Sequence, residues 1–420
     1  MPLYIEIART LEAVSREERR DDKAQIVASL LKGLPPEMLR PTVRLLSGRL
    51  WPPWESREMG IGPEILRAAL EELSGQSITP ETKLTDMGDL AEMLVLKRPQ
   101  QTLTTSTMDA LQVYDSLRQI SAQKGRGSLF RKKSFLKGLF LNARPIEAKY
   151  IARTVLGRTM VGLGPSSMSA AIGLTFSVDE ALVKRAYALL PDFGMVALNA
   201  LRGEIMEVGL APPNPVRPMI FGREKRAGDA IERAGTAAFV VRYGGLRVQV
   251  HKFNDQVFIY SSQLRDLTPS LQDLAEEVMR IKGNFVLEGE FLLVREGRIL
   301  PQSEMVGRIN LKGRPRDAAI PSLSASDLLY LDGEALVDKS YSERRRLLSR
   351  TLKDVAGKPL CSKVFLAEEL VSDEQKKAKE LLKRSLDRGF RGLLLRDLGG
   401  PYAPGSTSRW DVVISQMPDS

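Results

Sequence analysis

Up to about residue 210 the apolar side chains return every three or four positions, as in KAQIVASLLKGL, GPEILRAALEELS and VDEALVKRAYALL. That period puts them on one face of a helix, so this half of the chain reads as all-helical. Turn-forming residues interrupt it at Gly33 to Pro36, Trp51-Pro52-Pro53-Trp54, Gly60 to Pro63, Gly125 to Ser128 and Gly162 to Pro165, which predicts helix–helix connections there. GLAPPNPVRPMIFG then places prolines at 212, 213, 215 and 218. Proline has no amide hydrogen to give a helix, so this stretch is expected to be an interdomain linker, with a boundary near 211. Beyond it the runs shorten and become β-rich: AAFVVRYGGLRVQVHKF, QVFIYSS, NFVLEGEFLLVREG and GLLLRDLG, separated by helical patterns such as SYSERRRLLSRTLKDV. The expectation is a multi-domain chain, all-α over 1–211 and α+β with antiparallel sheets over 212–420.

Composition narrows the chemistry. With 420 residues, 43 % of them hydrophobic, each half can bury a core of its own. The 62 Lys and Arg against 52 Asp and Glu give a formal charge of +10. Such an excess suits a polyanionic partner such as nucleic acid, or else a solvated basic surface. One cluster, RGSLFRKKSFLKG at 126–138, interleaves Phe130 and Phe135 with cations and could grip a phosphate backbone or be the cationic side of a helix. A single cysteine, Cys361, makes no intramolecular disulfide and calls for no oxidising compartment. The N-terminus has no basic start leading into an apolar core, and no apolar run is long enough for a bilayer. A cytoplasmic, nucleoid-associated location without membrane partners is expected. One histidine and one cysteine exclude a His/Cys zinc site and a Cys–His catalytic pair, and no metal site is expected. His251, inside the strand pattern LRVQVHKF, is assigned no chemistry.

Particular stretches carry a resemblance. LPPEMLRPTVRLLSGRLWPPWESREMGIGPEIL (34–66), Gly127-Ser128 in a basic context, EAKYIARTVLG (147–157) and a linker ending in RPM resemble the DNA-binding domain of ATP-dependent DNA ligases of the archaeal and eukaryotic replicative type. The later segments resemble that family's nucleotidyltransferase domain, of ATP-grasp-like fold. They are VVRYGGLRVQVHK (240–252), FVLEGEFLLV (285–294), LPQSEM (300–305), SDLLYLDGEALVDKSYSERRRLL (326–348), RGLLLRD (391–397) and YAPGSTSRWDVVI (402–414), in the family's order. The resemblance implies a helical domain that embraces nicked or intact double-stranded DNA through phosphate and minor-groove contacts. Candidate phosphate-binding residues are Arg40, Arg44, Arg49, Lys124, Arg126, Arg131, Lys132, Lys133, Lys149 and Arg153. Met160 stands where the family usually has an arginine, which removes one cation from that surface.

The same resemblance implies a reaction and exposes its missing parts. In such ligases a lysine amine attacks the α-phosphorus of ATP, and the AMP then passes to a 5′-phosphate. The matching position here is Arg242, whose delocalised guanidinium stays protonated and is a poor nucleophile. Val240 and Gly244 replace the acidic residues around that lysine. Arg391 and Arg396 replace the glutamate and lysine of the fourth motif, where metal and α-phosphate are held. Ser326 removes an aromatic platform for adenine, Ser262 replaces an arginine, and Val412 and Ile414 take two lysine positions after Trp410. Arg247, Glu290 and Ser326 are the remnants of the nucleotide pocket; Gly245, Gly289, Asp332 and Glu334 read as builders of strands and turns. Lys252 and Lys225 are the nearby lysines that could stand in as nucleophile. No C-terminal oligonucleotide-binding fold is expected within the sequence.

The expectation is therefore a pseudoenzyme: a ligase-like DNA-binding protein of repair or replication with no cofactor. The alternative is an active ATP-dependent ligase, using ATP and Mg2+ through another lysine or a partner subunit. A protein-interaction scaffold without a nucleic-acid role is a third reading. Protein partners and oligomeric state are left open.

Overall fold

A computed structural model describes residues 3–55, 57–77, 86–99, 107–223, 231, 235–311 and 319–415. The chain forms two compact units, Met1–Tyr187 with Asp192–Val208 and Ala188–Pro191 with Gly209–Ser420.

The first part is helical: α1 (Tyr4–Arg16), α2 (Arg20–Leu31), α3 (Pro36–Leu46), α4 (Pro63–Ser74), α5 (Met87–Leu96), α6 (Ala110–Ala122), α7 (Ser128–Asn142), α8 (Pro145–Val155), α9 (Pro165–Phe176), α10 (Glu180–Leu189) and α11 (Phe193–Arg202). Their starts follow local chemistry. Pro36, Pro63, Pro145 and Pro165 occupy the first turn, where no amide hydrogen is needed. Asp86, Asp109 and Asp192 cap α5, α6 and α11 by accepting hydrogen bonds from first-turn amides. Helix α5 packs on α8, α2 on α9, and α3 on α11. The apolar faces meet in one core containing Tyr4, Leu11, Met38, Leu46, Phe140 and Ile151.

The second unit holds two sheets. One runs in the order β1 (Ile220–Arg223), β12 (Thr407–Ile414), β11 (Leu393–Arg396), β2 (Ala237–Val241) and β10 (Glu369–Ser372). The other runs β4 (Gln256–Ser261), β3 (Leu246–Phe253), β5 (Phe285–Arg295), β7 (Ile320–Leu331) and β8 (Glu334–Ala335). β6 (Arg298–Ile299) pairs with β5, and β9 (Val364–Leu366) pairs with β7. Among the described residues four helices accompany them: α12 (Gln272–Met279), α13 (Gln302–Asn310), α14 (Tyr341–Thr351) and α15 (Gln375–Asp387). Phe239 and Leu393 from the first sheet share a core with Val248, Leu287 and Phe291 from the second. The sheets are mixed rather than wholly antiparallel, because β1 joins β12, and β9 joins β7, in parallel. Those partners are far apart in sequence, and long connections leave strand direction free where hairpins would force antiparallel pairing.

Candidate nucleotide site and nucleic-acid surface

Arg242-Tyr243-Gly244-Gly245 carries the chain from β2 in one sheet to β3 in the other. Its backbone continues the ladder towards β11: the Arg242 amide donates to the Gly392 carbonyl at 3.0 Å, and the Arg391 amide donates back to Arg242 at 2.8 Å. Gly244 sits at φ +87°, and a Cβ there would lie 2.5 Å from Cγ of Arg391. Gly244 and Arg391 therefore fit one another: the long side chain lies over the residue that lacks one. Gly245 is equally constrained, since a Cβ would run into the Phe291 carbonyl oxygen. Below the crossing, the Glu290 carboxylate accepts the Tyr243 amide at 2.7 Å. Burial raises the Glu290 pKa, and the Arg242 charge with the amides of Tyr243, Gly244 and Gly245 offsets this only in part.

The other remnants converge on a residue that the sequence did not single out, Glu288. Arg247 donates to it at 2.6 Å and to the Met219 carbonyl at 2.6 Å, and its guanidinium lies 4.3 Å from the Phe221 ring centre. The Tyr402 hydroxyl donates to the same carboxylate at 2.6 Å, and Ser326 Oγ donates to the Glu288 carbonyl at 3.2 Å. Alternation along β5 puts Glu288 and Glu290 on one side of the strand, which is the signal in LEGEF that points to both.

Arg396 is 1 % exposed. It donates to Asp327 at 2.8 Å and to Asp411 at 3.1 Å, and stacks 4.3 Å above Tyr341. Asp327 also receives Arg344, at 2.8 and 3.1 Å. Two guanidiniums thus face two carboxylates in a fully buried, closed network. Burial pushes the Asp327 carboxyl upward, but Arg396 and Arg344 outweigh it and hold the pKa below the ordinary value. Every carboxylate of this neighbourhood is taken, by arginines at Glu288, Asp327 and Asp411 and by backbone amides at Glu290. A divalent cation needs carboxylate oxygens free of cationic partners, since a guanidinium beside the carboxylate repels it. The donor set does not suit magnesium.

Of the two nearby lysines, the described one sits away from the crossing. Lys252 Nζ is bound to the Ile281 carbonyl near the far end of β3, and Lys225 lies outside the described residues. Ile414 is buried and Val412 half-buried in β12, while the Trp410 side chain is outside the described set. Asp332 and Gly333 form the β7–β8 turn, with the Asp332 carboxylate accepting the Asn284 amide at 2.7 Å. Burial holds the His251 pKa down to about 3, so this imidazole is neutral and structural.

Residues 3–173 match the family described as DNA ligase N terminus, and residues 218–411 the ATP dependent DNA ligase domain. The DNA ligase of Thermococcus fumicolans is 33 % identical over 99 % of this chain and 76 % of its own length. That of Methanopyrus kandleri is 31 % identical over 96 % and 74 %. The chain belongs to the ATP-dependent DNA ligase family. The solved structure Pmar-Lig_PreS3 covers 98 % of this chain, and is itself covered to 78 %, with a TM-score of 0.53 at 12 % identity, a likeness of fold.

In this ligase-family chain the ten candidate phosphate-binding residues of the helical unit divide into those held by internal partners and those nearer the surface. Arg44 is buried against Asp192 and also donates to Tyr114 Oη at 2.9 Å and the Leu50 carbonyl at 3.2 Å. Arg153 pairs with Asp86 at 2.8 Å and Asp89 at 3.3 Å. Lys149 pairs with Glu12, Asp89 and Glu92 at 3.0, 3.2 and 3.4 Å. Buried Lys132 donates to the Met59 carbonyl at 2.6 Å. These four hold the helices together. Lys133 pairs with Glu72 at half exposure, and Arg131 is exposed but fastens the loop before α7 through the carbonyls of Lys124 and Arg126 at 2.8 and 3.1 Å. Arg40, Arg49, Lys124 and Arg126 are exposed.

A cleft of about 750 Å3 holds the candidate Arg49 and adds two arginines that the sequence did not single out, Arg158 and Arg57, the latter paired with Glu55 of the same wall at 3.1 Å. Arg49, Arg57 and Arg158 line it with Gly48, Gly60, Gly62 and Gly157. The signal was present twice as a Gly-Arg pair just past a helix end, in SGR (47–49) and LGR (156–158). Glycines there bring backbone within reach of a bound group while the arginines supply charge. Met160 lies two residues beyond Arg158 and is 62 % exposed.

Proposed function

We propose that this ligase-family protein binds duplex or nicked DNA through its helical unit and forms no enzyme–AMP intermediate at position 242. One observation carries the reading. The residue at the crossing between the sheets is an arginine, and the second cation of the site, Arg396, is sealed inside carboxylates rather than facing a phosphate. A guanidinium has no free lone pair at neutral pH, so the first bond, from side-chain nitrogen to α-phosphorus, has no donor there. The carboxylates around it are engaged by arginines at Glu288, Asp327 and Asp411 and by backbone amides at Glu290.

The DNA surface in this reading comprises Arg40, Arg49, Lys124, Arg126, Arg131 and Lys133, with Arg57 and Arg158 from the cleft. Arg44, Lys132, Lys149 and Arg153 are left out because removing them from their internal partners would cost more than binding a phosphate returns. A role in repair or replication at the nucleoid, as an accessory or competitor at nicks, goes with it.

The test has two arms. Intact-mass analysis after incubation with ATP and magnesium is expected to show no AMP-sized adduct; a stable adduct on any lysine would make the protein an active adenylyltransferase. Affinities for nicked duplex, intact duplex and single strand over a salt series are expected to show duplex preference with a steep slope. Binding to none of them would remove the DNA half of the reading.

A further inference from the structure

Helix α14 turns Tyr341, Arg344 and Leu348 into the core and leaves Arg346, Ser349 and Arg350 exposed. With Ser342, Arg345 and Glu369 of β10, the exposed side lines a groove of about 620 Å3. Among the described residues of its wall Glu369 is the only acid, and it is already engaged, by Arg345 at 3.3 Å and by the Tyr341 hydroxyl. Arg345 is fixed in turn by the carbonyls of Ala325, at 3.3 Å, and Ala367. Glu343, the acid nearest along the helix, pairs with Lys339 at 3.2 Å. Arg346 and Arg350 are thus one helical turn apart with no ion pair among the described residues, two like charges that repel until an anion joins them.

The geometry points to a phosphate site on this groove, taking the phosphodiester backbone of nucleic acid. Arginine forks match phosphate oxygens in pairs, and the Ser349 hydroxyl at the rim can donate a further hydrogen bond. A nucleotide would also need a platform for its base. Among the described lining residues the one aromatic ring, Tyr341, is 1 % exposed and stacked beneath arginines, so the groove offers phosphate contacts and no base platform. This site is additional to the helical surface and rests on the reading that the protein binds nucleic acid.

The experiment uses the full chain and the variants R346A/R350A and R346K/R350K, both on the exposed side of α14. Thermal midpoints are measured first, and these are expected to match the parent. Binding of a labelled duplex and a labelled single strand is then followed across a salt series. For at least one of them the alanine pair is expected to lower the magnitude of the log–log slope by about two, one for each phosphate no longer neutralised, while the lysine pair keeps most of it. Parent-like slopes for the alanine pair on both nucleic acids would overturn the groove and leave the helical DNA surface standing. Failure of the parent protein to bind either nucleic acid would overturn both. A third arm titrates pyrophosphate: weakened pyrophosphate binding with unchanged nucleic-acid slopes would overturn the backbone assignment in favour of a small phosphate ligand.

Discussion

Asp327→Asn is the sharpest perturbation of the buried charge network. The substitution keeps the shape and removes one charge. Asp327 is 0 % exposed and accepts three hydrogen bonds from Arg344 and Arg396, both themselves buried. Arg396 would retain Asp411, but Arg344 would lose its counter-charge and face only neutral oxygens, the new amide's and the carbonyls of Lys339 and Gly400. Breaking a buried ion pair from one side costs about 3–5 kcal/mol, since the remaining charge stays out of water unpaired. In a unit of roughly 200 residues each kcal/mol moves the midpoint by about 2–4 °C, so a fall of about 6–20 °C is expected. Asp411→Asn should cost less, about 1.5–3 kcal/mol, because Arg396 keeps Asp327. Calorimetry that resolves the transition of the sheet-containing unit is the assay, with DNA affinity of the helical unit as the internal control. A shift under about 2 °C for Asp327→Asn, or a larger one for Asp411→Asn, would refute the closed network and return Arg396 to the candidates for phosphate binding.

Gly244→Ala should destabilise by about 1–3 kcal/mol in chemical denaturation, because alanine is strained at φ +87° and its Cβ meets Arg391; Arg391→Ala in the same chain should recover part of the loss, and strict additivity would deny the packing. His251 is proton-free when folded down to about pH 3 but titrates near 6.5 when unfolded, so the unfolded chain binds the extra proton and stability falls as pH drops below 6.5. The loss from this residue is about 3 kcal/mol by pH 4, and His251→Leu should show a shallower acid limb in denaturation series; an unchanged limb would count against it. In the helical unit Arg44→Ala should lower the thermal midpoint by an amount matching about 3–5 kcal/mol, whereas R49A/R158A should leave the midpoint alone and cut the DNA salt slope by about two. Equal midpoints for the two variants would erase the division between structural and surface arginines.

Much was legible without coordinates. Helical periodicity against short β-rich runs separated the two kinds of architecture, since each depends on neighbours within a few residues. The residue type at 242 was legible as well, and covalent chemistry depends on residue type: no fold turns a guanidinium into an amine at neutral pH.

Tertiary structure decided which charges are free. In sequence Arg44 and Arg49 look alike, five residues apart in one basic stretch. Yet Arg44 is buried against an aspartate 148 positions away, while Arg49 lines an open cleft. Arg396 reads as a replacement for a phosphate-binding lysine, and only its bonds to Asp327, 69 residues earlier, and Asp411 reveal a structural charge. Glu288 stayed unnoticed because its partners arrive from three separate segments, at Arg247, Ser326 and Tyr402. The physical reason is common to all of them: whether a charge meets solvent or a counter-charge depends on side chains remote in sequence, and desolvation sets its energy only after the chain has folded.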